Sequence, residues 1–398
     1  MKRISVLMAT AFVDMIGFAI VFPLLPFYAL RFDAQPWMIG LLIAAFSVMQ
    51  LTAAPLWGKF SDHYGRRPAI ILGLCTSAVA FAIFAFADSI WLLFVTRLVQ
   101  GIGGGTTAVA QAYVGDSIEP RDRARALGWL SAATSAGVMI GPAIGSLAFE
   151  LGPQYPGLIA SSLCFTNIFF AWRWLPESFA KQRATAEAEP AQERRSTQAV
   201  MLEVVTHPTG AVPRLIWIYT VGMLGFMSMT AVIPLYLQVR FGVTGGTIGP
   251  IFVYIGFLSI VMRALVLGKA VDSFGETRVM RAGAASLALG LFVIPLPGML
   301  LGTAAVMSLV PIGTAMLFPS VSALVSHRVP SNQLGQVLGV QQSFGGMARV
   351  IAPIWATAVF QFGPTVPFFI AAGVVAFVTL LAFNVKHAVV GPEATAEM

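Results

Sequence analysis

Apolar residues run along the chain in long blocks, interrupted by short stretches rich in Gly, Pro or charge. Such blocks occupy 5–30, 38–58, 68–87, 91–115, 125–149, 157–175, 214–238, 248–268, 278–296, 299–325, 334–360 and 365–386. Each approaches the roughly 20 residues that an α-helix needs to cross a bilayer. The pattern therefore predicts twelve membrane-spanning helices. One interval breaks the rhythm. Between 176 and 213, Glu187, Glu189, Glu193, Arg194 and Arg195 with several Ala, Gln and Thr replace the apolar run. It reads as a solvated linker, which separates a bundle at 1–175 from a second at 214–398 with a short tail.

The two bundles repeat one another. Pro23 in Val21-Phe22-Pro23-Leu24 answers Pro234 in Val232-Ile233-Pro234-Leu235, and Pro142 answers Pro353, both at an offset of 211. Gly58 opens Gly-x-x-x-Asp-x-x-Gly, and Gly268 opens the same pattern at an offset of 210. Landmarks in three different helices keep one register. Six spans is an even number, so the halves run in the same direction and form parallel repeats.

Composition strengthens the membrane reading. Of 398 residues, 57% are hydrophobic and 10% charged, against about 25% charged in an ordinary soluble domain. The mean hydropathy is +0.82. The net charge of +7 would suggest nucleic acid in a soluble protein, but here the cations sort by loop. With the N-terminus in the cytoplasm, that side receives Lys2, Arg3, Lys59, Arg66, Arg67, Arg121, Arg123, Arg125, the linker cations, Lys269, Arg278, Arg281, Arg328 and Lys386. The other side receives Arg31 and Arg240. The bias places both termini and the linker in the cytoplasm. Lys2 and Arg3 before an apolar run also resemble the start of a signal peptide. The run carries Asp14, continues to Leu30 and lacks a small-x-small cleavage site, so a retained first helix is expected.

Chemistry-bearing residues are few. Cys75 and Cys164 lie in apolar runs and offer neither a disulfide framework nor metal-ligand spacing. His63, His207, His327 and His387 fall in loops or tails and do not converge with cysteines or carboxylates, so no metal is expected. No Gly-x-x-x-x-Gly-Lys-[Ser/Thr] loop is present, which argues against ATP-driven pumping. A membrane enzyme or a receptor explains the duplicated loop pattern poorly.

The tight loop after span two carries Gly58, Asp62, Gly65, Arg66 and Arg67. Gly58 permits close helix approach, and Gly65 permits a positive φ in a sharp turn. Asp62 at a helix C-terminus needs a cation or another helix's N-terminus beside it. Arg66, Asp116 at the end of span four and the run from Arg121 to Arg125 are its candidate surroundings. Gly268, Asp272, Gly275 and Arg278 echo the loop in the second half. A basic turn that merely obeys the positive-inside rule is the plainer alternative.

This loop resembles the signature of the major facilitator superfamily. Two more stretches resemble motifs of its twelve-helix drug:proton antiporter branch: Arg97-Leu98-Val99-Gln100-Gly101, and Gly137-Val138-Met139-Ile140-Gly141-Pro142-Ala143-Ile144-Gly145. Asp14 with Pro23-Leu24-Leu25-Pro26, and Leu175-Pro176-Glu177-Ser178, look like tetracycline-exporter relatives. The resemblance runs the whole length. It implies an all-α membrane fold of two pseudo-symmetric six-helix bundles, proton-coupled export of small amphipathic compounds such as drugs or antibiotics, and alternating access. It implies a proton-transfer role for Arg97 and Gln100, and a helix at 137–145 that seals the halves against leak. The expected partners are a small-molecule substrate, protons and the lipid bilayer, with no nucleic acid. No cofactor is expected, the proton gradient being the energy source. A monomer in the inner (plasma) membrane is the expected form.

The residues make sense physically as well. Asp14 is the one carboxylate well inside a predicted span, and an intramembrane acid is a functional candidate. It suits proton loading, or else a salt bridge or hydrogen bond between helices. Arg97 lies some six residues into span four, too deep for easy snorkelling, with Gln100, Gly101, Gly104 and Gln111 on related faces. A structural Arg bonded to carbonyls is the alternative role. Gly137, Gly141 and Gly145 form a smooth ridge for a neighbouring helix, and Pro142 allows a bend. Arg263 and Arg349 are the other deep charges, and Arg349 shares a face with Gln342 and Gly345. Arg349 suits an anionic substrate group, or else Asp14 or backbone carbonyls. Gln50, Gln111, Asn167, Tyr254, Gln341 and Arg349 are the candidate cavity residues by helix position.

Two departures qualify the resemblance. Tetracycline exporters carry acids inside spans three and nine. Here Ala80 stands near the first position, and span nine has no acid after Glu276. Three deep arginines against one aspartate also fit a strictly cationic cargo poorly, and give neutral, zwitterionic or anionic cargo equal standing. A transporter of one specific metabolite (a sugar, organic anion or zwitterion) is the competing reading.

Overall fold

A computed structural model describes residues 2–178 and 196–383. The linker charges from Glu187 to Arg195, and Lys386 and His387, lie outside the described residues. Twelve helical rods stand among the described residues, in the order the apolar blocks predict. A lipid environment offers no hydrogen bonds, so a crossing chain must satisfy its backbone internally, which helices do.

Eight rods are single helices: Pro36–Tyr64, Arg66–Ala85, Pro120–Leu151, Tyr155–Trp174, Ala211–Phe241, Glu276–Val293, Ser331–Phe360 and Val366–Phe383. The other four rods are interrupted. Span one runs Lys2–Val21, tightens at Phe22–Leu24 and resumes as Leu25–Leu30, because Pro23 and Pro26 lack the donors of a regular helix. Span four breaks between Ile90–Gly104 and Thr107–Ser117, after Gly101, Gly103, Gly104 and Gly105. Span eight contains a π-helical turn, Met262–Val266. Span ten divides into Leu300–Met307 and Leu309–Ser326.

Freed carbonyls at the span-four break find side chains. Trp57 Nε1 donates to Ile102 O at 2.6 Å, Thr106 Oγ1 to Gly103 O at 2.9 Å, and Gln50 Nε2 to Gly104 O at 3.2 Å.

The structure redraws the loop after span two. Residues 58–64 are the last turns of the span-two helix, and only Gly65, at φ +103°, makes the turn. In the second half, the helix likewise continues through Phe274 and turns at Gly275, at φ +78°. Periodicity ended these helices too early because it followed hydropathy, and the last turns lie beyond the apolar stretch. The interval read as a linker also holds structure. Thr197–Thr206 is a helix whose Val200 and Val204, four residues apart, are buried. Trp217 Nε1 donates to Val204 O at 2.9 Å, fastening it to span seven.

The halves meet at the end of the molecule away from these turns. There Ser146 Oγ donates to Gly245 O at 2.8 Å and accepts from Gly249 N–H at 2.7 Å, joining span five to span eight. A Cβ on Gly40 would stand 2.1 Å from Thr357 Oγ1 and 2.4 Å from Pro353 O, so spans two and eleven touch through backbone. At the other end Gly58, Gly128, Gly268, Gly335 and Gly339 face open space. The molecule is closed at the Ser146 end and open at the Gly65 end.

Gly40→Ala is expected to force spans two and eleven apart, at a cost of about 1–3 kcal/mol typical of overpacking. A lowered thermal unfolding temperature of the purified protein in detergent checks this.

Candidate functional site

A cavity of about 870 Å³ lies between the halves. Spans one, two and four contribute Asp14, Phe18, Phe46, Gln50, Arg97 and Gln100, and spans seven, eight, ten and eleven contribute Phe226, Phe252, Arg263, Phe318 and Arg349. Its walls are largely aromatic and aliphatic with a few polar groups, the usual character of a small-molecule site. The charged lining is one carboxylate and three guanidinium groups.

A side chamber of about 330 Å³ opens off Asp14 inside the first bundle. Thr10, Thr106, Thr107, Gln111, Ser131 and Thr134 give it a polar lining between spans one, four and five. Asp14 belongs to the wall of both spaces.

Arg97 is 1% exposed, and its Nε and Nη2 have no hydrogen-bond partner among the described residues. Its guanidinium lies 5.3 Å from the centroid of the Phe84 ring, a cation–π contact. Gln100 is buried beside it with Oε1 unpartnered. Arg263 sits within the π-helical turn, and both it and Arg349 act electrostatically on the Tyr219 phenol. Gln342 Nε2 donates to Tyr219 Oη at 3.3 Å, and Gly345 leaves room for that ring. Arg349 and Asp14 form no ion pair with each other among the described residues.

Of the residues expected in the cavity, Gln50 and Arg349 line it, and Gln111 lines the side chamber. Three stand elsewhere. Asn167 is buried and donates to Thr10 O at 2.8 Å, tying span six to span one. Gln341 is buried and donates to Ser322 Oγ at 2.8 Å, tying span eleven to span ten. Tyr254 is exposed outside the lining. Helix position alone put these three on the wrong face, because polar groups inside a bundle serve helix contacts as often as cavities.

The ridge in span five packs within its own half. A Cβ on Gly137, Gly141 or Gly145 would meet Phe12 O, Ala19 or Ile20 O of span one at 2.4–2.5 Å. The neighbouring face, at Met139, Pro142 and Ser146, meets the second half at Gly256 and Gly249. Ser146, which holds the closed end, carries no signal in the chain's hydropathy.

At the open end Arg66 is buried and paired with two carboxylates. Its Nη1 pairs with Asp62 Oδ1 at 2.6 Å and also donates to Ser61 Oγ, while its Nε pairs with Asp116 Oδ2 at 2.7 Å. Asp116 is buried, and Asp62 is 64% exposed. Glu177 accepts from the backbone N–H groups of Arg66 and Arg67 at 2.9 and 3.1 Å, capping span three. Arg67 donates to Trp172 O. A Cβ at position 65 would stand 2.6 Å from Glu177 Oε2, and the φ of +103° favours glycine there.

The second copy is built differently. Asp272 and Arg278 are exposed and make no ion pair with each other among the described residues. Glu276 stands at the place of Arg66 and pairs with His327, which stands at the place of Asp116, at 3.1 Å. A side-chain pair stands at both places, with the carboxylate on the opposite member.

Arg66→Ala leaves Asp116 buried without its cation, so a loss of about 3–5 kcal/mol is expected. Arg66→Lys, which cannot hold two carboxylates at once in this forked way, is expected to recover part of it. Thermal unfolding of the two variants in detergent measures both.

Comparison with known proteins agrees with this architecture. The sequence profile of the Major Facilitator Superfamily matches residues 7–353 and 264–397. The class B tetracycline resistance protein of Escherichia coli is 28% identical over 87% of this chain and 86% of its own. Multidrug resistance protein 2 of Bacillus subtilis (strain 168) is 25% identical over 92% of this chain and 90% of its own. Among solved structures, the human organic anion transporter MFSD10 (TETRAN) superposes with a TM-score of 0.70 at 22% identity, covering 96% of this chain and 99% of that one. The nucleoside transporter NupG superposes at 0.75 with 15% identity, covering 97% and 100%. With its twelve rods, duplicated turns and matched profile, this chain belongs to the Major Facilitator Superfamily.

Proposed function

We propose that this protein exports small amphipathic compounds in exchange for protons, by alternating access. The observation that carries the reading is the cavity between the halves, which is walled mainly by apolar groups and reaches one carboxylate, Asp14. The similarity to tetracycline and multidrug resistance proteins over most of each chain supports efflux as the physiological direction. The charge bias of the loops supports placing the open end in the cytoplasm. The structure is then the inward-facing state, ready to load cargo from inside. The protein is a monomer in the inner membrane, with both termini cytoplasmic and no cofactor.

In this mechanism the halves rock about the central cavity. Closing the open end brings spans two, five, eight and eleven together at Gly58, Gly128, Gly268 and Gly335, where space is free in the present state. Opening the other end requires Ser146 to release Gly245 and Gly249. Arg66, held by Asp62 and Asp116, keeps the end of span two rigid so that it moves as part of its bundle.

Asp14 is the proton carrier. Because it borders both the cavity and the polar side chamber, its proton has an exit toward the cytoplasm while cargo occupies the main space. Arg97 and Gln100 line the same cavity.

Asp14→Asn is expected to abolish substrate-driven proton movement in proteoliposomes while leaving substrate binding intact. Proton movement that persists in this variant removes Asp14 from the coupling step. Ser146→Ala is expected to raise the labelling rate of a cysteine placed at Ala143 by an impermeant thiol reagent added outside. An unchanged rate excludes Ser146 from the closure.

A further inference from the structure

We propose that Arg263 and Arg349 form an anion-binding pole in the second half, and that the cargo is an amphipathic aromatic organic anion bearing a carboxylate or sulfonate. The inference rests on the export reading for the word cargo, but the binding site stands on its own geometry.

Three observations converge on these two residues. The first is electrostatic. Arg263, Arg349 and Arg97 all line one cavity with Asp14 as the only lining carboxylate. Arginine stays protonated in proteins, and a cation within a membrane is costly unless paired or hydrated. Arg66, at the end of the bundle, is paired with two carboxylates. Neither Arg263 nor Arg349 has a hydrogen-bonded or ion-paired partner among the described residues. Arg97 adds buried, unpartnered donors of the same sign across the cavity. Arg263 is exposed and Arg349 half-buried on the cavity wall, so the donors of both are within reach of a ligand anion.

The second observation is backbone geometry. The π-helical turn Met262–Val266 inserts one extra residue into span eight and re-aims Arg263 relative to a regular helix. Such turns are rare and concentrate at functional sites. No proline or glycine within 262–266 forces it.

The third is the surroundings. The Tyr219 phenol lies within electrostatic reach of both guanidiniums and is held by Gln342, which adds a neutral hydrogen-bonding group next to the charge. Phe18, Phe46, Phe226, Phe252 and Phe318 line the rest of the space. Paired arginines recognise planar oxyanions through forked donors, and aromatic walls accept a flat apolar body. Together they describe a molecule with one charged end and a ring system.

The test uses three compounds of one shape and different charge: 1-naphthoate, 1-naphthamide and 1-naphthylmethylammonium. Binding to the full-length protein in phosphatidylcholine nanodiscs at pH 7 is measured by calorimetry. Naphthoate is expected to bind at least tenfold more tightly than the other two. In the Arg263→Gln/Arg349→Gln variant its affinity is expected to fall at least tenfold, with naphthamide binding changed less than twofold, which also reports that the variant is folded. Equal affinities, a preference for the ammonium compound, or an unchanged preference in the variant overturns the proposal. So does a folded wild-type protein that binds none of the three. Capture of dihexanoyl phosphatidylglycerol in preference to naphthoate overturns the soluble-acid assignment by placing a lipid headgroup at the arginines. The two readings fail separately. If the ammonium compound binds and drives Asp14-dependent proton movement, export stands and the anion pole falls. If naphthoate binds through the arginines without proton movement or counterflow, the pole stands and proton-coupled export falls.

Discussion

Lipid cannot hydrogen-bond, and nearly every feature of this protein follows from that constraint. It makes each crossing segment helical and lets a helix break only where side chains or a polar space take over the freed groups. The break in span four illustrates the rule, since Trp57, Gln50 and Thr106 take up the carbonyls that Gly101 to Gly105 release. The same constraint sorts polar side chains by task. Asn167 and Gln341 spend theirs on neighbouring helices, and those at Asp14, Arg97, Arg263 and Arg349 are left for the cavity.

Charge shows this division most clearly. Arg66 sits at the membrane surface, surrounded by carboxylates and a hydroxyl, and binds the ends of spans two, three and four into one unit. The deep arginines have no such company. Arg97 is buried without a partner for Nε and Nη2, whereas Arg263 is exposed and Arg349 half-buried on the cavity wall, where water or a ligand reaches them. The duplication makes the contrast sharper. The Arg66–Asp116 pair is matched by Glu276–His327 in the second half, whereas Arg97 is matched by Ser308 and Asp14 by Gly225. The contact between these two places recurs in the second half with the carboxylate on the opposite member, and the cavity charges Asp14 and Arg97 have no charged counterpart.

The closed and open ends express the same physics over a longer range. Where the halves touch, glycines bring backbones to contact and Ser146 satisfies a carbonyl and an amide of the other half. Where they part, helix faces at Gly58, Gly268 and Gly335 meet nothing. The contact that must open runs along spans two and eleven from Gly40 to Gly346, and along spans five and eight from Ser146 to Gly256, with side chains such as Leu51, Met139 and Phe149 in it. Among the described residues, the hydrogen bonds of Ser146 give that surface a polar clamp between the halves.

Hydropathy, the offset near 211 and the placement of Lys and Arg already determined twelve spans, two parallel halves and the expected orientation. These properties are legible because a bilayer imposes one length and one polarity on every crossing, whatever surrounds it. The deep charges were visible for the same reason, as exceptions to an apolar rule. Only the tertiary structure decided which polar residues share a cavity, that Arg66 and not Arg67 holds both carboxylates, and that Glu177 caps span three. It also decided which end stands open. Rotation of each helix about its axis and the tilt of one bundle against the other depend on contacts between distant segments, and these leave no period in the chain. Asn167 and Gln50 look alike in sequence, and their neighbours alone distinguish a helix tie from a cavity wall.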